Sequence, residues 1–284
     1  MGGQPQLTGL IVVIVIGAGA LHATWNAIAK DISDRLMAFA LIGVALTAGG
    51  AVAVGLAGLP PDKAVLLAVI SAAIHIAYES GLMASYRLGS FNQVYPIARG
   101  TSPLLVALGA AVFAHEHLAS GPLAGVVILA VGLMSLALSA GWPSRAELPA
   151  IGVALLTGVT IASYTVVDGI GVRAAHDPYS YAGLLFVLQG PPFLIAALAR
   201  RPRAAWRDVP LLSRGLLAGA LAALAYGVVL WAQSRAPMAE VAAIREISVV
   251  FAALIGIVFF RERFGTRRVA AAVVIAVGII LISA

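Results

Sequence analysis

Cysteine is absent from the 284 residues, which removes disulfides, thiolate metal sites and cysteine nucleophiles. Charge is scarce too, at 11% of residues against 61% hydrophobic, and the mean hydropathy is +1.01. A water-soluble globule is excluded by that balance. The sequence also lacks runs of about ten alternating polar and apolar residues, so a transmembrane β-barrel is not expected. No G-x-S-x-G, Walker A or H-E-x-x-H sequence occurs, and with no nucleophile and base at a catalytic spacing an enzyme is not expected. His115 and His117 form an H-x-H pair without a third ligand, so no metal site is expected, and nothing in the sequence requires a cofactor.

What remains is an all-α integral membrane protein. At about 20 residues per span, apolar runs between turn signals predict ten helices. They lie at roughly 8–29, 36–58, 64–87, 90–113, 119–139, 147–168, 179–200, 211–234, 237–260 and 265–283. Breaks such as Leu59-Pro-Pro-Asp62, Asp177-Pro178 and Arg200-Arg-Pro-Arg203 separate them. The first run has no basic flank of the signal-peptide kind and is read as a retained helix.

The net charge of +6 reports orientation rather than nucleic-acid binding. Thirteen Lys and Arg fall in the loops after helices 1, 3, 5, 7 and 9, against three in the loops after helices 2, 6 and 8. The odd loops are therefore expected in the cytoplasm and both termini outside, in a multi-pass protein of a bacterial-type inner (plasma) membrane. Two arginines, Arg99 and Arg245, are left inside helices.

Their separation exposes an internal repeat. The offset of 146 also relates Ser102 to Ser248, Glu116 to Glu262 and Ile128-Leu-Ala-Val-Gly132 to Val274-Ile-Ala-Val-Gly278. Residues 1–141 and 142–284 thus read as two five-helix repeats. An odd number of helices per repeat requires the copies to cross the membrane in opposite senses, with a site expected at their interface near the midplane.

A central arginine costs about 2.5–3.5 kcal/mol on insertion scales and must face a partner or water. Glu79 and Glu246 are candidate partners; a substrate carboxylate or phosphate is the other kind of partner. Asn92, Tyr95, Arg99 and Ser102 share one face of helix 4, where Pro96, Gly100 and Pro103 predict a kink or local unwinding. His22, Trp25 and Asn26 share a face of helix 1, and His75, Tyr78 and Glu79 one of helix 3. Tyr164 and Tyr226 come from helices 6 and 8. Aromatic walls around arginines suit a small amphipathic ligand with one anionic group. Asp168 is expected near the outer end of helix 6, in solvent, and Glu116 and Glu262 at the starts of helices 5 and 10, compensating helix dipoles.

Phe113-Ala-His-Glu-His-Leu118 followed by Gly125 to Gly132, and Phe259-Phe-Arg-Glu-Arg-Phe264 followed by Ala271 to Gly278, resemble the end of the EamA repeat. That repeat marks ten-helix members of the drug/metabolite transporter superfamily. The resemblance implies a secondary transporter working by alternating access, exporting small metabolites such as amino acids. Exchange of organic phosphates is the second reading, and a non-transporting lipid-handling protein with a lateral groove the third. The expected partners are a small-molecule substrate and the bilayer. A monomer or weak dimer is expected, since the duplicated chain already supplies both halves.

Overall fold

The computed structural model describes residues 6–85, 91–137, 148–260 and 265–284, and among them every regular element is helical. The helices are α1 (Gly9–Asp31), α2 (Arg35–Ala57), α3 (Asp62–Ser85), α4 (Phe91–Phe113), α5 (Ser120–Ala137), α6 (Leu148–Ala174), α7 (Pro178–Gln189), α8 (Pro191–Arg200), α9 (Val209–Gln233), α10 (Met238–Arg245), α11 (Ser248–Phe260) and α12 (Thr266–Ser283). Side chains with a spare oxygen start several of them. Thr8, Asp34, Asp177 and Asp208 each accept a backbone N–H from the first turn of α1, α2, α7 and α9, satisfying donors that a helix cannot satisfy itself. Among the described residues seven stretches are long and apolar enough to cross a bilayer, counting Pro178–Arg200 as one, and Ser120–Leu136 and Val269–Ser283 are shorter apolar helices. The chain is a multi-pass membrane protein.

Two of the expected continuous helices are broken. The seventh divides at Gly190, after which Pro191 and Pro192 withhold backbone donors and begin α8. The ninth divides at Glu246 and Ile247, whose N–H groups bond three residues back to Ala243 and Ile244 rather than four. This tight turn contains no proline. α4, by contrast, runs unbroken with Pro96 and Pro103 inside it. The local unwinding expected from the prolines of helix 4 is therefore absent from α4, and the interruption lies in the ninth expected helix instead. The broken segment lies close to α1, because a Cβ on Gly19 would sit 2.6 Å from Ile247 Cγ2.

Small residues set the other close approaches, as packing within a membrane demands. A Cβ on Gly43 of α2 would fall 2.5 Å from the Gly190 carbonyl oxygen, and one on Gly50 2.5 Å from that of Gly183. α5 and α12 meet where Gly125 and Gly278 each face the other's backbone. Gly121, one turn before Gly125 in α5, has open space around it. The contacts between the halves follow an exchange rule. α1 packs on α9, α10 and α11, whereas α6 packs on α3 and α4; α2 lies on α7 and α8, and α5 on α12.

Candidate functional site

The two central arginines meet at the break between α10 and α11. Arg99 of α4, 3% exposed, places Nε 2.8 Å from Glu246 Oε2 and donates from its terminal nitrogen to Ser248 Oγ at 2.7 Å. Glu246 is fully buried, so the ion pair is a cross-link between the two halves in low dielectric. Arg245 adjoins it in sequence, is equally buried, and makes no hydrogen bond or ion pair to any described residue. The residues that follow each arginine differ. Arg245 is followed by Glu246, but Arg99 is followed by Gly100, where a Cβ would already press on Met134 and Leu133 at 3.1–3.2 Å. One acid therefore stands beside two cations and, among the described residues, pairs with Arg99 alone. The fields of both arginines reach His22 on α1 and Tyr164 on α6.

Tyr164 connects this charged cluster to a second one. Its ring stacks on His75 with centroids 4.0 Å apart and lies 5.7 Å from Tyr78 and 6.2 Å from Tyr226. Behind the rings sits Asp168, which is fully buried rather than solvated. Tyr181 OH donates to Oδ1 at 2.8 Å, Tyr226 OH donates to Oδ2 at 2.5 Å, and His75 Nε2 is 3.2 Å from Oδ2. Helices α3, α7 and α9 are thus each tied to α6 through one carboxylate. Asp168 lies within the helix because α6 continues to Ala174, about a turn and a half beyond the expected end. Tyr181 packs over Gly171, where any side chain would collide with the ring.

The other predicted residues divide. His22 and Trp25 meet edge to face at 5.2 Å, while the Asn26 amide donates to the His22 carbonyl and Trp25 packs against the core around Leu185. Glu79 is half-buried and pairs with neither arginine; Glu246 is the acid that does. Asn92 and Tyr95 lie in α4, with side chains outside the described residues, and Glu262 is outside them altogether. Among the described residues no group of three metal-ligating side chains comes together.

Both ends of the bundle are latched. At one end Glu116 pairs with Arg173 and accepts the Met238 amide at 2.9 Å, so it caps α10 rather than α5. Arg173 also donates to the carbonyls of Gln233 and Ala236 at 2.8 Å. At the other end Arg201 pairs with Asp34, with contacts of 2.6 and 2.9 Å, and Arg214 pairs with Asp31. Burial pushes the Asp34 carboxyl up, but hydrogen bonds from Arg201 and the Met37 amide, with the Arg201 charge, hold it below its ordinary range. The loops after the first and seventh predicted helices therefore share one face of the protein.

The family model for the EamA-like transporter family matches residues 148–284. No curated protein matches the chain. A solved crystal structure with 16% sequence identity, covering 96% of this chain and 94% of its own, superposes with a TM-score of 0.74, which establishes a shared fold.

Proposed function

We propose, from the match of residues 148–284 to the model of the EamA-like transporter family, of the drug/metabolite transporter superfamily, that the whole chain is a secondary transporter. On this reading α7 with α8, and α10 with α11, are single interrupted spans. Ten spans then form two inverted five-helix repeats, 1–141 and 142–284. The exchange of packing partners supports this: α1 on α9, α10 and α11 answers to α6 on α3 and α4. The arginine-rich loops face the cytoplasm by the positive-inside rule, and the Asp34–Arg201 and Asp31–Arg214 pairs agree in placing two of them together.

The substrate is a small amphipathic metabolite with one anionic group, amino acids first, exported by alternating access. Arg245 carries this reading. A buried guanidinium without a partner among the described residues is costly unless a ligand uses it, and it stands at an interrupted helix, where transporters expose backbone to substrate. Glu246 neutralises Arg99 and leaves about one net positive charge, which suits a carboxylate better than a doubly charged phosphate. Tyr164, Tyr78, Tyr226 and His75 supply the apolar wall, and rearrangement of the repeats opens the now-buried cluster.

Uptake of a labelled amino-acid panel by proteoliposomes tests the reading. Flux of at least one amino acid supports it. Movement of phosphorylated compounds alone overturns the substrate class, and no flux under pH or voltage gradients of either sign overturns transport.

A further inference from the structure

We infer that α1, α2, α7 and α9 form a lateral phospholipid site, in which one acyl chain occupies an apolar cavity and the headgroup phosphate is held by Arg235. The cavity has a volume of about 440 Å³ and is walled by residues including Ala53, Phe186, Val228 and Trp231, within the range of about 300–1,000 Å³ usual for ligand pockets. Gly49 of α2 and Gly227 of α9 both line it, and a Cβ on either would meet nothing within 4 Å, so they face free volume instead of a packed neighbour. Leu224 and Tyr179, also lining it, are 56% and 57% exposed, and Gly49 is exposed as well. The cavity therefore opens sideways between spanning helices. The walls are predominantly apolar, which disfavours ordered water inside, and at the depth of a spanning helix the medium outside the opening is hydrocarbon.

The headgroup assignment rests on the mouth. Trp231 lines the cavity near the end of α9, and the Arg235 guanidinium lies over its ring, 4.7 Å from the centroid, with Nη1 3.0 Å from Ser234 Oγ. Tryptophan and arginine one turn apart at a helix end is the arrangement of a headgroup-level anchor. Arg235 is exposed and has no acidic partner among the described residues, so its charge is available to a lipid phosphate. Phe186 lines the cavity and its ring also lies 6.5 Å from Tyr226, so an occupied groove abuts the aromatic wall around Asp168.

Quenching of tryptophan fluorescence by acyl-chain-brominated lipid tests the site on the full chain in detergent micelles. The chain has four tryptophans, and Trp231→Phe identifies the relevant component. Brominated phosphatidylglycerol is expected to quench that component saturably at low mole fraction. Arg235→Gln should weaken the effect about fivefold, the equivalent of about 1 kcal/mol per basic residue at the membrane surface. Brominated diacylglycerol, lacking the phosphate, should bind the wild-type protein and Arg235→Gln alike, and more weakly than the phospholipid binds the wild type. Gly227→Leu, or Gly49→Leu should the first fail to fold, should abolish saturable quenching. Unsaturable quenching that survives either leucine substitution means annular lipid only and overturns the site. Equal affinity for phospholipid and diacylglycerol overturns the headgroup assignment.

Discussion

Arg99 and Glu246, 147 positions apart, form a buried ion pair that joins the two halves of the chain at the interruption between α10 and α11. Removing one partner of such a pair strands the other charge in low dielectric and typically costs about 3–5 kcal/mol. Glu246→Gln is therefore expected to lower the thermal unfolding midpoint in detergent sharply, and Arg99→Gln combined with it should recover part of the loss. A double variant whose losses simply add would show that the two charges are not coupled.

Asp168 gives a second stability test. Tyr226→Phe and Tyr181→Phe each remove one donor to a buried carboxylate, and hydrogen bonds to charged groups contribute about 1.5–3 kcal/mol. Both variants should unfold at lower temperature than wild type. In Asp168→Asn the same tyrosine substitutions should matter less, and equal effects in both backgrounds would separate the tyrosines from the carboxylate.

The contact between α5 and α12 tolerates only glycine at its centre. Gly278→Val would drive a side chain into the Gly125 carbonyl and Leu129, and overpacking of this kind costs about 1–3 kcal/mol. Gly121→Val, one turn from Gly125 in α5 but facing open space, should be nearly neutral in the same unfolding measurement.

Acid should weaken the latch at the Arg201 end. Because the Asp34 carboxyl is held below its ordinary value of 3.8, the pair contributes stability above that pH, and the contribution disappears as pH falls through the depressed value. Asp34→Asn keeps an N-cap side chain on α2 and removes only the charge. The difference in unfolding midpoint between wild type and Asp34→Asn should be constant near neutrality and shrink toward zero in acid.

Helical class, membrane insertion and the central position of the arginines were all legible in the sequence, because apolar runs and isolated charges report them directly. The pairing was half legible. Glu79 and Glu246 were both candidate partners and only Glu246 pairs with Arg99, while Ser248 as the further acceptor carried no sequence signal. Proline gave no guide to the interruption near Glu246, which contains none and lies against Gly19, a neighbour remote in sequence. Asp168 was misplaced because α6 runs past the last strongly apolar stretch to Ala174, which moved a supposed end residue into the core. Tyr181 carries no sequence signal of its role, since its partner lies across a helix turn and a loop. Glu116 was assigned to the nearest helix start when its carboxylate reaches one 122 residues away.

The central claim is that Arg245 holds the substrate anion. Its most direct test is flux of the best amino-acid substrate into proteoliposomes by wild type, Arg245→Ala and Arg245→Lys, each first shown to be folded by its unfolding midpoint. Loss of a charge-assisted contact of about 1.5–3 kcal/mol corresponds to a drop of roughly 10- to 100-fold. The account predicts that loss for folded Arg245→Ala, with partial recovery in Arg245→Lys. Wild-type flux through folded Arg245→Ala would contradict it.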